Sequence, residues 1–108
     1  MADEFSGTLN QRVAIEQWLA ARDAAGADAG HWVAVASAWA AIVPDGNGAD
    51  AGEARRSARR WRVVLRAGAP VGLTTRLIWQ GQYLVVLAVD SDPRQPDRQL
   101  LRCEARVA

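Results

Sequence analysis

At 108 residues, half of them apolar and 23% charged, the chain has the size and polar share of one soluble globular domain. A formal net charge of +1 gives no overall field for nucleic acid or an anionic membrane, and no run nears the ~20 apolar residues of a membrane helix. A single cysteine, Cys103, rules out an intrachain disulfide and a cysteine metal cluster.

The opening Met1-Ala2-Asp3-Glu4-Phe5 is acidic and lacks the basic start and apolar stretch of a secretory signal, so synthesis in the cytoplasm is expected. All 13 basic residues are arginine. Selection for the guanidinium fork is one reading; a GC-rich genome is the other, and the abundance of alanine favours it.

Two segments of the N-terminal half are legible in two ways. Ile15, Trp18, Leu19 and Arg22 have helical spacing in a helix-prone context, whereas Val13, Ile15, Leu19 and Ala21 fit alternation. The same conflict recurs over His31–Val43, where Val33, Val35, Trp39 and Val43 alternate while alanine pulls toward helix. The C-terminal half tips both toward strands, because its hairpins need further sheet to cover their edges.

Residues 44–59 follow. Pro44-Asp45-Gly46-Asn47-Gly48 is loop chemistry, and Asp50 with Glu53 has capping-box spacing. A short helix over about 51–59 is therefore predicted, marginal at two turns without packing partners. Arg55, Arg56, Arg59 and Arg60 would share one face of it. That cluster is a solvated face, a subunit or partner contact, or a DNA-phosphate contact; Asp50 and Glu53 beside it weaken the last.

The C-terminal half reads as β-structure. In Arg60–Arg66, Trp61, Val63 and Leu65 alternate with Arg60, Arg62, Val64 and Arg66, a strand with one buried and one largely charged face. Ala67-Gly68-Ala69-Pro70 is a connection. Leu73, Thr75, Leu77 and Trp79 then share one side of a strand, and Gln80-Gly81 is a hairpin turn, since glycine tolerates positive φ. The continuously apolar Tyr83–Val89 looks like a central strand, residues 90–97 are turn chemistry, and Leu101, Cys103, Ala105 and Val107 form the inner face of a last strand.

No catalytic, cofactor or metal motif is present. His31 reads as an edge histidine, Cys103 as a small buried hydrophobe, and Asp90/Asp92 and Asp45/Asp50 as turn residues. Among the five tryptophans, Trp61 and Trp79 fall on inward faces. For Trp18 and Trp32 a core position is preferred over an interface anchor.

Taken in order, these segments resemble the phage head–tail joining family, also called head-closure or stopper proteins. Gly7-Thr8-Leu9-Asn10-Gln11-Arg12-Val13-Ala14-Ile15 matches its opening "G-x-L-x-x-R-V-x-I", and Asp23 and Gly26 its aspartate and glycine after the first strand. Trp32 and Trp39-Ala40-Ala41-Ile42-Val43-Pro44 match a Trp-led strand ending in "W-A-x-I-x-P". Val63–Arg66, Thr75–Val85 ("T-R-[LI]-x-[WY]-x-G-x-x-Y-x-[VI]") and Leu101–Ala105 complete the series. Two departures are Ala67, where an aromatic is common, and the Gly- and Ala-rich composition of the central loop.

The resemblance implies an all-β fold: a small barrel of about six mainly antiparallel strands, with a long loop or short helix, 44–59, projecting between the second and third. It implies a structural, non-enzymatic virion protein without cofactor, made in the host cytoplasm and placed at the head–tail interface of a tailed phage or gene transfer agent. The implied partners are its own copies in a homo-oligomeric ring, a hexamer in preference to a dodecamer. A portal or adaptor ring lies above it, a tail terminator or tail tube below, and packaged duplex DNA passes close by without sequence-specific contact. The channel-loop or subunit-interface residues on this reading are Asp45, Asn47, Asp50, Glu53, Arg55, Arg56, Arg59 and Arg60. Two alternatives are a free-standing nucleic-acid-binding β-barrel using the Arg55–Arg60 cluster and an all-helical regulator.

Overall fold

The computed structural model describes residues 7–27, 29–45 and 59–107. Six strands, β1 (Gln11–Leu19), β2 (His31–Pro44), β3 (Arg60–Arg66), β4 (Thr75–Trp79), β5 (Gln82–Asp90) and β6 (Arg98–Val107), close into a barrel in the order β1-β2-β3-β6-β5-β4. Every pairing is antiparallel. Both ambiguous N-terminal segments are strands, because β1 and β2 each pair on two sides and closure leaves no edge. Alanine's helix preference, a few tenths of a kcal/mol per residue against most side chains, is outweighed by this tertiary pairing.

The barrel is filled rather than hollow, as expected for so few strands. Ile15, Leu65, Leu77, Leu84, Leu101, Val13, Val63 and Cys103 are fully buried, each large aliphatic contributing roughly 1.5–3 kcal/mol on transfer from water. Trp61 and Trp79 meet edge to face at 4.9 Å within this interior, as their inward spacing predicted. The inner face of β2 makes room for them with Ala36, Ala38, Ala40 and Ile42.

Small residues inside β2 put the large ones outside. Trp39 pairs with outward-facing Arg12, and Val43 with outward-facing Arg62; Trp39, Val35 and Val43 are all about half exposed. A β-bulge opposite Ile15/Glu16 leaves Val35 without a β1 partner, a local twist that steers the side chains beyond it. Trp18 and Trp32 face each other across that twisted end of the ladder on the outer wall. Trp18 is exposed and Trp32 only partly buried, so the preferred core position for this pair is corrected: β1 alternation sets Trp18 on the face opposite Ile15, and the β2 bulge brings Trp32 to the same side.

Leu73 does not share the buried face of β4. The strand starts at Thr75, whose hydroxyl accepts from Gly72 N at 2.8 Å and donates to Gly72 O at 2.7 Å, which leaves Leu73 in the preceding turn, 69% exposed. Gln80 and Gly81 both have positive φ, 51° and 78°, the twist of a two-residue hairpin turn. The apolar run of β5 is buried on one face only. Leu84 and Val86 point in, and a bulge between Val86 and Ala88 sends Leu87 to the surface.

Strand polarity defines two ends. The β1–β2, β3–β4 and β5–β6 connections share one end; the β4–β5 turn, Pro44 and Arg60 lie at the other. The predicted helix of residues 51–59 lies outside the described residues, apart from Arg59.

Candidate interaction surfaces

Of the eight site residues proposed from sequence, three are described. Asp45 continues β2 past its end, donating its backbone N–H to Arg60 O at 2.9 Å, and its carboxylate meets Arg62 at 3.4 Å. Arg59 O accepts from Ala105 N, and Arg60 opens β3 opposite Glu104. Thus Asp45, Arg59 and Arg60 converge where the chain leaves β2 and enters β3. Asn47, Asp50, Glu53, Arg55 and Arg56 lie outside the described residues.

Three sets of outward-facing residues carry chemistry that sequence reading did not assemble. The first crosses β2, β1, β4 and β5. Here the Arg76 guanidinium lies 4.3 Å from the Trp32 ring centre and 3.9 Å from that of Tyr83, and Arg76 Nε donates to Glu16 Oε1 at 2.7 Å. Trp18 meets Trp32 edge-on at 5.3 Å. This is a stacked, charge-paired clasp across the seam where the barrel closes, and its geometry is that of a strut rather than an open site.

The second comprises two apolar walls on strands three places apart in the closed order. On β2, Val35, Trp39 and Val43 are exposed, with Arg12 over the Trp39 ring at 5.1 Å and bonded to Ser37 Oγ at 2.8 Å. On β5 the exposed large residues are Leu87 and, near the strand end, Val89, beside partly buried Tyr83, Val85 and Ala88. Periodicity did reveal that Val33, Val35, Trp39 and Val43 alternate; it could not say that Val35, Trp39 and Val43 are the outside, nor that the bulge at Val35 sets Val33 on the other face.

The third is the wall of β3 and β6. Its outward rungs are Arg60/Glu104, Arg62/Arg102, Val64/Leu100 and Arg66/Arg98. Five arginines face one glutamate here, because the chain order 3-6 brings together two strands some forty residues apart. A cleft of about 300 Å³ opens over Val64 and Leu100, rimmed by Asp90, Asp92 and Gln95.

Nothing in these walls is arranged for catalysis. Among the described residues no group of three His, Cys, Asp or Glu could hold a metal ion. Cys103 is buried, and burial pushes its thiol up to about 12, the reverse of an activated nucleophile. Asp92 accepts from Arg94 N, and Asp23 from Ala25 N and Ala27 N, all at 2.9 Å. These aspartates hold turns, the latter completed by Gly26 at φ +86°.

Comparison with known proteins agrees with this picture. No curated protein matches the chain significantly. Among solved structures, a protein of Shigella flexneri 2a studied in solution superposes with a TM-score of 0.69 at 21% identity, covering 92% of this chain and 94% of that one; at that identity the likeness is one of fold. A chain from the virion of a native gene transfer agent particle superposes with a TM-score of 0.65 at 26% identity, covering 93% and 97%. The family model described as phage head completion protein matches residues 6–108. The chain belongs to the phage head completion protein family, and with it to the structural, non-enzymatic components of the virion head.

Proposed function

We propose that this protein is the subunit of a ring at the head–tail interface of a tailed phage or gene transfer agent. It joins a portal or adaptor ring to the tail and helps retain packaged DNA. The observation that carries the reading is the pair of apolar walls, on β2 and on β5, at opposite sides of a closed barrel. A closed barrel has no sheet edge to offer, so subunits must meet through side chains. A cyclic ring of identical chains needs two different, complementary faces on each subunit. Trp39 and Val43 on one side and Leu87 on the other supply them; tryptophan is the residue most enriched at binding hot spots.

On this reading Asp45, Arg59 and Arg60 root a channel loop, 44–59, that projects from one end of the ring, bearing Asn47, Asp50, Glu53, Arg55 and Arg56. About 14 residues at ~3.5 Å each reach out and back by at most roughly 20–25 Å, enough for several loops to narrow a channel of duplex width. A hexamer is the preferred state. The free-standing DNA-binder is the second reading, favoured by the β3/β6 arginines alone.

Particles assembled without the protein test the proposal in the electron microscope. Filled heads that leak DNA or lack tails are expected; intact tailed particles would refute it. Trp39→Glu should leave the isolated chain folded and abolish ring formation.

A further inference from the structure

We infer that the outer wall of β3 and β6 faces the ring axis and receives the phosphate backbone of the duplex that threads it. This rests on the ring reading above and adds to it the orientation of the subunit. The closed order places the β3–β6 pair midway between the two apolar walls, with β1 and β4 on the far side. If β2 and β5 meet neighbouring copies, one of these two walls looks inward and the other outward.

Charge chooses between them. On the far side, Arg76 is occupied by Glu16, Trp32 and Tyr83, and Arg12 lies over Trp39 and bonds Ser37. The β3/β6 wall is occupied only in part. Its Arg62/Arg102 and Arg66/Arg98 rungs set like charges directly opposite one another, which weakens a sheet. Arg62 has Asp45 at 3.4 Å and Arg98 has Asp97 at 3.0 Å. Arg102 and Arg60, both exposed, have no ion-pair partner among the described residues. Arg60 and Arg102 are thus the groups that an anion from outside can pair, and guanidinium forks match phosphate.

Extent and polarity agree. From Arg60 to Arg66 the stripe runs ~20 Å, the length of roughly six base pairs of duplex backbone. Asp90 and Asp92 offset the charge at the end bearing the β5–β6 connection, so the contact centres on Arg60, Arg62 and Arg102, at the end from which the 44–59 segment departs. No base edge is read, so the contact is indifferent to sequence.

The test uses the whole chain and a fluorescent duplex. The wild type should bind two unrelated duplexes equally at low salt, with affinity falling steeply as salt rises. Arg62→Ala/Arg102→Ala should flatten the plot of log affinity against log salt by about 1.8, at ~0.9 per lost phosphate contact. Arg102→Glu should raise the melting temperature, by converting an Arg/Arg rung to Arg/Glu, while weakening DNA binding at least tenfold; that combination separates lost contact from lost fold. An unchanged salt slope in the double variant overturns the inference. So does preference for polyglutamate over DNA, which would make an acidic protein face the partner. Sedimentation of the same samples separates the two readings: a ring that forms but ignores DNA removes this orientation and leaves the ring standing.

Discussion

Removing Arg76 should loosen the barrel at its closing seam. β1 and β4 share only four residue pairs, Ala14↔Ile78 to Gln17↔Thr75, and Glu16↔Arg76 is one of them. The two side chains are each 18% exposed, with Nε–Oε1 at 2.7 Å, so the pair is largely shielded from solvent. A charge-assisted hydrogen bond contributes ~1.5–3 kcal/mol, and stacking on Trp32 and Tyr83 adds ~0.5–1 kcal/mol for each ring. The contributions overlap, so Arg76→Ala is expected to cost about 2–4 kcal/mol, a large share of the ~5–15 kcal/mol typical of a domain. Lysine keeps the charge but not the planar fork, so Arg76→Lys should recover part of the loss and leave roughly 1 kcal/mol missing. Urea unfolding followed by tryptophan fluorescence and by circular dichroism measures both, with the midpoint shifting and the slope unchanged. A Glu16→Gln/Arg76→Ala cycle should return a coupling of at least ~1 kcal/mol. An Arg76→Ala variant within ~0.5 kcal/mol of wild type would refute the clasp, and a lysine variant equal to wild type would refute the stacking.

Other perturbations follow from the interior. Trp61 Nε1 is buried without a hydrogen-bond partner, whereas Trp79 Nε1 donates to Gln11 Oε1 at 3.0 Å. Trp61→Phe should therefore cost less than Trp79→Phe, by about 1 kcal/mol in chemical denaturation. Cys103 should resist maleimide in the folded protein and react fully in denaturant. Its thiol is raised by burial from 9.0 to about 12, so its stabilising contribution is complete below pH 9 and is lost as pH rises through 12, because the unfolded chain ionises first. Thermal melts at rising alkaline pH check that sign. Gly30 lies under the Trp18 ring, and a Cβ there would overlap it. Gly30→Ala should displace Trp18 from Trp32, seen as a change in tryptophan emission with only a small loss of stability, since the ring can swing into solvent.

Much of the fold was legible from local pattern. Period-two alternation marked the faces of β3 and β6, and the Gln80-Gly81 dipeptide marked its hairpin. Both signals are carried by neighbours in the chain, which is why they survive without tertiary context. The misreadings have specific causes. Leu73 was drawn into β4 by its spacing, which does not register a turn closed by the Thr75 hydroxyl. Trp32 was taken inward because a single inserted residue in a ladder is invisible to periodicity, yet it changes which way the side chains beyond it point; Trp18 follows plain β1 alternation, which sets it on the face opposite Val13 and Ile15.

By itself, then, the sequence marked the strands of the C-terminal half through residue types at short spacing, while kinship with the phage head–tail joining proteins came from a resemblance across ordered motifs. Only the tertiary structure decided which alternating set of β2 faces the core, and it chose the alanines because Trp61 and Trp79 need the volume. Only the closed order, in which β3 and β6 become neighbours across roughly forty residues, stacked arginine on arginine. Each strand alone is merely a solvated charged face; the like-charged wall exists because backbone hydrogen bonding and core burial hold the two together against their repulsion.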